Sequence, residues 1–156
     1  EAAVAAAAKA MVDSVRGHDP KAEISGFLVQ EMVDGVEMIV GAHDDPLYGP
    51  VLLIGAGGVL VELMRDSALR LLPADENTAR AMVGELRAST LLQGFRGKGP
   101  ADSAALVRAA AALGAFFLDH RQHLAEIEIN PLVVLPDGKG VRAVDIRAVG
   151  RTASTR

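Results

Sequence analysis

Apolar and polar positions along this chain change period several times, and each change marks an element. From Ala2 to about Arg16 the chain is alanine-rich. Val4, Ala8, Met11, Val12 and Val15 fall on one stripe of a helix that Gly17 ends. Gly17 to Ile24 is a connector. Gly26 to Val33 is predicted as an apolar strand interrupted by Gln30 and Glu31, with Asp34-Gly35 turning it into a second strand, Val36 to Ala42. The turn-rich HDDPLYGP, His43 to Pro50, reads as a loop. It leads into a short buried strand, Val51 to Ile54, ending in Gly55-Ala56-Gly57-Gly58. Val59 to Met64 and Ala68 to Leu72 are expected as short strands around Arg65-Asp66, closed by Pro73. A helix should run from about Glu76 to Leu86 and continue irregularly to Leu92. Beyond the glycine-rich loop Gln93 to Pro100, Asp102 or Ser103 caps a long helix to about His120, with Leu106, Ala110, Leu113 and Phe117 as its apolar stripe.

The last segment, Glu126 to Asp145, reads EIEINPLVVLPDGKGVRAVD: an acidic strand, a Pro-Asp-Gly turn and a return strand. With Asp137 and Gly138 at the centre of the turn, Asn130 falls opposite Asp145 and Glu128 opposite Arg147, all on one face. Directly opposed residues have Cβ atoms about 4.5 to 5.5 Å apart, so an amide oxygen and a carboxylate could reach one cation together. Magnesium takes oxygen ligands and is usually held by one or two carboxylates plus substrate phosphates. The other face carries Ile127, Ile129, Val133, Val144 and Ile146, which require burial. Pro131 cannot donate a ladder hydrogen bond, and a bulge there would shift the register. A plainer reading of the same spacing is a cross-strand ion pair, Glu128 with Arg147, on a solvated sheet.

Strands, then helices, then a final hairpin predict an α+β domain: a mainly antiparallel sheet with helices 76 to 92 and 102 to 120 on one face. The open face would carry Glu128, Asn130, Asp145 and Glu37. Half of the 156 residues are hydrophobic, enough for one domain with a sizeable core. The net charge of −4, without a basic run, argues against nucleic acid as a partner. There is no cysteine, hence neither disulfides nor thiolate chemistry. No apolar stretch is long enough to cross a bilayer and the N-terminal run lacks a basic flank, so no membrane association and a cytoplasmic location are expected. The Gly55 to Gly58 turn need not open a helix and is a poor match to a phosphate-binding loop.

The motifs GFLVQEMVDGVEMIVG, DPLYGP, GAGGVLVELMRD and EIEINPLVVLPDGKGVRAVD occur in that order. Together they resemble, across nearly the whole chain, the C-terminal part of the ATP-grasp domain of NDP-forming acyl-CoA synthetases, relatives of the succinyl-CoA synthetase β subunit. The resemblance implies that residues 1–150 are the C-terminal portion of that domain, followed by a polar tail, 151–156, expected to fray. It implies Asn130 and Asp145 as magnesium ligands and Glu128 as the acid close to the transferred phosphoryl group. Gln30, Glu31 and Met32 would lie in the hinge whose backbone meets the adenine, and Glu37 would contact the ribose. The cofactors implied are ATP or ADP, Mg2+ and CoA, the CoA site lying mostly outside this chain. The partners implied are the nucleotide and the rest of the synthetase, with its CoA-binding and phosphohistidine domains or subunit, in an oligomeric full protein.

The family's domain begins with a smaller subdomain bearing a phosphate-binding lysine and a glycine loop. Nothing before Ala2 supplies either, so the isolated chain is expected to be inactive. Two other readings of the same residues are the synthetase-like ligand-binding domain of a protein lysine acetyltransferase and a sheet scaffold that pairs through its open face. His18, His43, His120 and His123 read as structural or solvated, and none matches the family's phosphorylated histidine. Lys98 and Arg96 fit a surface loop, and Arg70 is the basic residue of greatest interest.

Overall fold

A computed structural model describes residues 2–58, 66–95 and 97–151. These form two compact units, Glu1–Met32 and Val33–Arg156. The first holds helix α1, Ala2–His18, in which no residue is buried. Of its predicted apolar stripe, Val4, Met11 and Val15 are exposed and Ala8 and Val12 are half-buried. The chain from 22 to 33 forms neither helix nor strand.

The second unit is an antiparallel sheet with helices on one face. Its strands are β1 (Val36–Asp45), β2 (Gly49–Ala56), β3 (Ser67–Leu71), β4 (Leu124–Val134), β5 (Val141–Ala143) and β6 (Ile146–Gly150). The order is β3-β2-β1-β4-β5, with β6 also on β4. The helices are α2 (Glu76–Glu85), the single turn α3 (Ser89–Leu92) and α4 (Ser103–His120).

Two expectations at the start of the sheet are corrected. The Gly26 to Val33 strand and its Asp34-Gly35 hairpin do not form, because both edges of β1 are already taken, by β2 on one side and β4 on the other. The predicted loop is shorter than HDDPLYGP. His43, Asp44 and Asp45 continue β1, and the reversal needs only Pro46 to Tyr48, because the Asp45 carboxylate accepts the N–H groups of Tyr48 and Leu47. The strand expected at Val59 to Met64 lies outside the described residues, as do Arg65 and Arg96.

Alternation decides which face is buried. Met38, Val40 and Ala42 of β1, Leu52 and Ile54 of β2, and Ala68 of β3 face the helices. Against them pack Ala79, Met82 and Val83 of α2, Leu92 of α3, and Leu106, Ala110, Leu113 and Phe117 of α4. Gly114 is small because a Cβ there would lie 2.7 Å from Leu72 Cδ2, so α4 sits close on the end of β3.

In β4 the phase changes partway. Ile127 and Ile129 pack on the core, and beyond Asn130-Pro131 it is Leu132 and Val134 that do so. Against β1 the register shifts between Met38 and Val40, so Asn130 and Pro131 together face Ile39. Val133, expected on the apolar face, is therefore buried away from the main core, where Gly35 lies close to its side chain. Val144 and Ile146, expected to be buried, are exposed, since β5 and β6 form the outer edge of the sheet.

Asp102 ties α4 to the hairpin. It is buried, caps the helix by accepting from Ala105 N–H at 2.9 Å, and accepts from Gly140 N–H at 3.0 Å with its second oxygen. These bonds hold its carboxyl below the ordinary carboxylate range, as the Thr78 bonds do for Asp75 at the start of α2 and the Tyr48 and Leu47 bonds for Asp45. At the sheet's end, Arg121 donates to Asp44 Oδ1 at 2.7 Å and Arg151 closes on Oδ2, which anchors the first residue of the expected tail.

Two outcomes are expected. Phe117→Ala should lower stability by about 3–5 kcal/mol, read by urea unfolding, because it empties a fully buried site between α4 and the sheet. Asp102 should favour folding above its unfolded value of about 4, with the benefit lost as pH falls toward its lower native value. The stability difference between wild type and Asp102→Ala, measured by urea unfolding at stepped pH, should accordingly narrow below about pH 4. A constant difference would show that the charge on Asp102 contributes nothing.

Candidate functional site

The face of the sheet away from the helices carries the odd-numbered residues of β1, and the ladder brings β4 and β6 residues beside them. Gly41 pairs with Glu128, and Glu128 pairs with Arg147. The hairpin register is the one that the Asp137-Gly138 turn predicts. Lys139 N–H donates to Pro136 O at 2.9 Å, and Gly138 takes the positive φ of 74° that closes the turn. Leu132 pairs with Ala143 and Ile129 with Ile146, in the same register on both sides of the gap between β5 and β6.

That gap is where Asn130 and Asp145 meet. Asn130 N–H donates to Asp145 O at 3.0 Å and Val144 N–H to Pro131 O at 3.1 Å, with the Asn130-Pro131 peptide cis. The anticipated bulge at Pro131 exists, but it displaces β4 relative to β1 and leaves the return strand in register.

Glu37 joins the same cluster through a residue that sequence reasoning left unassigned. Gly58 N–H donates to Asn130 Oδ1 at 3.3 Å, and a Cβ on Gly58 would lie 1.7 Å from Glu37 Oε2. The signal was present in the GAGG run, but only the fold supplies the contact.

Charge is distributed unevenly over this face. Arg147, although paired in the ladder with Glu128, reaches Glu126 Oε1 at 2.5 Å instead. The cross-strand pair that a plain surface reading expected is therefore not made, and among the described residues Glu128, Asp145 and Glu37 have no ion pair. Arg70 pairs with Glu85 of α2, on the helix side of the sheet. Lys98 stands 3.9 Å from Asp34, both exposed. Among the described residues no three His, Asp or Glu side chains converge as a ready-made cation cage.

Gln30, Glu31 and Met32 lie in the first unit, exposed and outside any helix or strand. His120 stacks on Phe116 and bonds its carbonyl through Nδ1 at 2.9 Å, a structural role. His43 is on β1, beside a shallow apolar groove of about 380 Å³ floored by Val51, Leu53, Leu69 and Leu71. His43 lies six positions along β1 from Glu37, roughly 20 Å. Among the described residues no helix is long and apolar enough to cross a membrane.

Comparison with known proteins adds to this geometry. The ATP-grasp domain profile matches residues 1–149. The chain is similar to 4-hydroxybutyrate–CoA ligase (ADP-forming) of Nitrosopumilus maritimus, with 36% identity over 94% of this chain and 21% of that protein. It is also similar to acetate–CoA ligase (ADP-forming) II subunit beta of Pyrococcus furiosus, with 35% identity over 88% of this chain and 58% of that subunit. Among solved structures, it resembles the dinucleotide-forming acetyl-coenzyme A synthetase 1 of Ca. Korarchaeum cryptofilum in complex with coenzyme A and Mg-AMPPCP. There the TM-score is 0.72 at 38% identity, over 77% of this chain and 55% of that one. The chain thus spans about a fifth of the first relative and a little over half of the other two.

Because the Arg147–Glu126 pair is solvated, Arg147→Ala should change stability by less than about 1 kcal/mol in thermal unfolding. A larger loss would mean that Arg147 holds β6 in place.

Proposed function

Because the chain belongs to the ATP-grasp domain family, we propose that it is the nucleotide- and magnesium-binding portion of an ADP-forming acid–CoA ligase. The reaction would convert an acid, CoA and ATP into acyl-CoA, ADP and phosphate. The observation that carries this reading is the meeting of Asn130 and Asp145 across the hairpin, on the sheet face opposite the one on which α2 and α4 pack.

The donor set fits magnesium. Asn130 Oδ1 accepts one bond, from Gly58, and keeps a second lone pair; the exposed Asp145 carboxylate has no ion pair among the described residues. Asn130 and Asp145 would supply two oxygens, and phosphate oxygens and water would complete the shell. Magnesium held there would neutralise phosphate charge, which is much of what phosphoryl transfer asks of a site. Glu128, two residues before Asn130, keeps its carboxylate available beside the transferred group because Arg147 is held by Glu126. Glu37 would contact the ribose.

The CoA site and the histidine that carries the phosphoryl group would lie in the rest of the synthetase, which is the partner this reading requires. The beta-subunit relative from Pyrococcus furiosus supports a division of that kind.

Calorimetric titration with ADP, with and without magnesium, tests the assignment. Binding should require magnesium, and Asp145→Ala should weaken it by more than about tenfold while leaving the circular dichroism spectrum unchanged. Equal binding by a folded Asp145→Ala chain would remove Asp145 from the site, and wild-type binding indifferent to magnesium would overturn the reading as a whole.

A further inference from the structure

The Gly57-Gly58 turn after β2 is the part of the molecule that touches the polar cluster and has no role in the reading above. Its backbone is fixed on β1: Gly57 N–H donates to Glu37 O at 2.9 Å, and a Cβ on Gly57 would lie 2.6 to 2.7 Å from the Met38 backbone. Gly58 follows with φ of 64°, a conformation that side chains with a Cβ rarely adopt. The turn therefore disfavours side chains, and the polar contact it makes with the cluster is the N–H of Gly58 to Asn130 Oδ1.

That N–H decides a question that Asn130 leaves open. A carboxamide has an oxygen and a nitrogen of nearly equal size, and turning it over exchanges an acceptor for a donor. Only the oxygen ligates a cation. Gly58 N–H stands 3.3 Å from Oδ1, and in the reversed orientation two donors would face each other.

We propose that Gly58 is a positioning residue: its amide holds the Asn130 carboxamide with Oδ1 toward the cluster, and its missing side chain leaves room for the Glu37 carboxylate beside it. Oδ1 has two lone pairs, so the bond from Gly58 occupies one and leaves the other for a cation. The step from orientation to metal affinity rests on the functional reading above; the orientation itself does not.

The test has a metal-free arm. In amide hydrogen exchange on the apo chain, Asn130→Ala should speed exchange at Gly58 by about fivefold to tenfold, because the acceptor is gone. Asn130→Asp, whose carboxylate still accepts, should restore slow exchange. An unchanged Gly58 rate in Asn130→Ala, or failure of Asn130→Asp to restore it, would overturn the proposal.

In the second arm, magnesium is titrated in the presence of ADP. Gly58→Ala should lose about tenfold in magnesium affinity, as removal of groups that orient metal ligands commonly does. Unchanged affinity in a folded Gly58→Ala chain would overturn the link to the metal. A wild-type chain that binds no magnesium–ADP would instead overturn the functional reading, and the exchange arm alone then decides whether Gly58 orients Asn130.

Discussion

Strand β4 carries one more residue than β1 across from Ile39, and the chemistry of the open face depends on that offset. A strand alternates its side chains with a period of two, so a strict β4 could bury Ile127 and Ile129 or Leu132 and Val134, but not both sets. Each large apolar side chain left in water would forgo about 1.5–3 kcal/mol. The extra residue lets both halves of the strand face the helices. Asn130 and Pro131, at the switch, are released from core packing. A polar side chain can stand there because the core on either side is already satisfied.

The return strand follows the same interruption. Beyond Ala143 the ladder of β5 breaks, and it resumes at Ile146 of β6 without losing register. Asp145 thereby faces Asn130 at a place where backbone pairing is local, through one bond from Asn130 N–H to Asp145 O. The hairpin is held at its far end by other means. The Asp102 carboxylate accepts from Gly140 and from the first turn of α4, Asp102 N–H donates to Leu135 O, and Asp137 N–H donates to Pro100 O. The helix that fills the core with Phe117 also clamps the tip of the hairpin, so packing on one face of the sheet fixes geometry on the other.

Local chemistry made several of these features legible from residues alone. The Asp137-Gly138 turn set the register that pairs Glu128 with Arg147, and Asp102 announced the cap of α4. What failed depended on partners remote in sequence. Gly26 to Val33 has the composition of a strand, yet β2 and β4 occupy both edges of β1. His43 to Asp45 looked like a loop because Asp45 is a turn former, but the turn lies after it, closed by its own carboxylate. Val133 is buried as expected but, because of the offset at Asn130-Pro131, away from the main core, while Val144 and Ile146 are exposed because β5 and β6 form the outer edge of the sheet. The Gly58 contact with Asn130 spans 72 residues, and no local pattern encodes it.

The distribution of charge on the open face bears on what it can accept. Glu37, Glu128 and Asp145 have no ion pair among the described residues, while Arg147, Arg70, Arg121 and Arg151 are each drawn to other carboxylates. A polyphosphate approaching such a face meets carboxylates, and like charges at close range repel. On the proposed reading a divalent cation would reverse the sign of the interaction, because it would be attracted both to the Asn130 and Asp145 oxygens and to the phosphates. On the proposed reading, metal and nucleotide therefore bind as coupled ligands, each raising the affinity for the other. On the same reading Asn130 would suit the position, because a neutral oxygen donor would add a ligand without adding another negative charge for the phosphates to overcome.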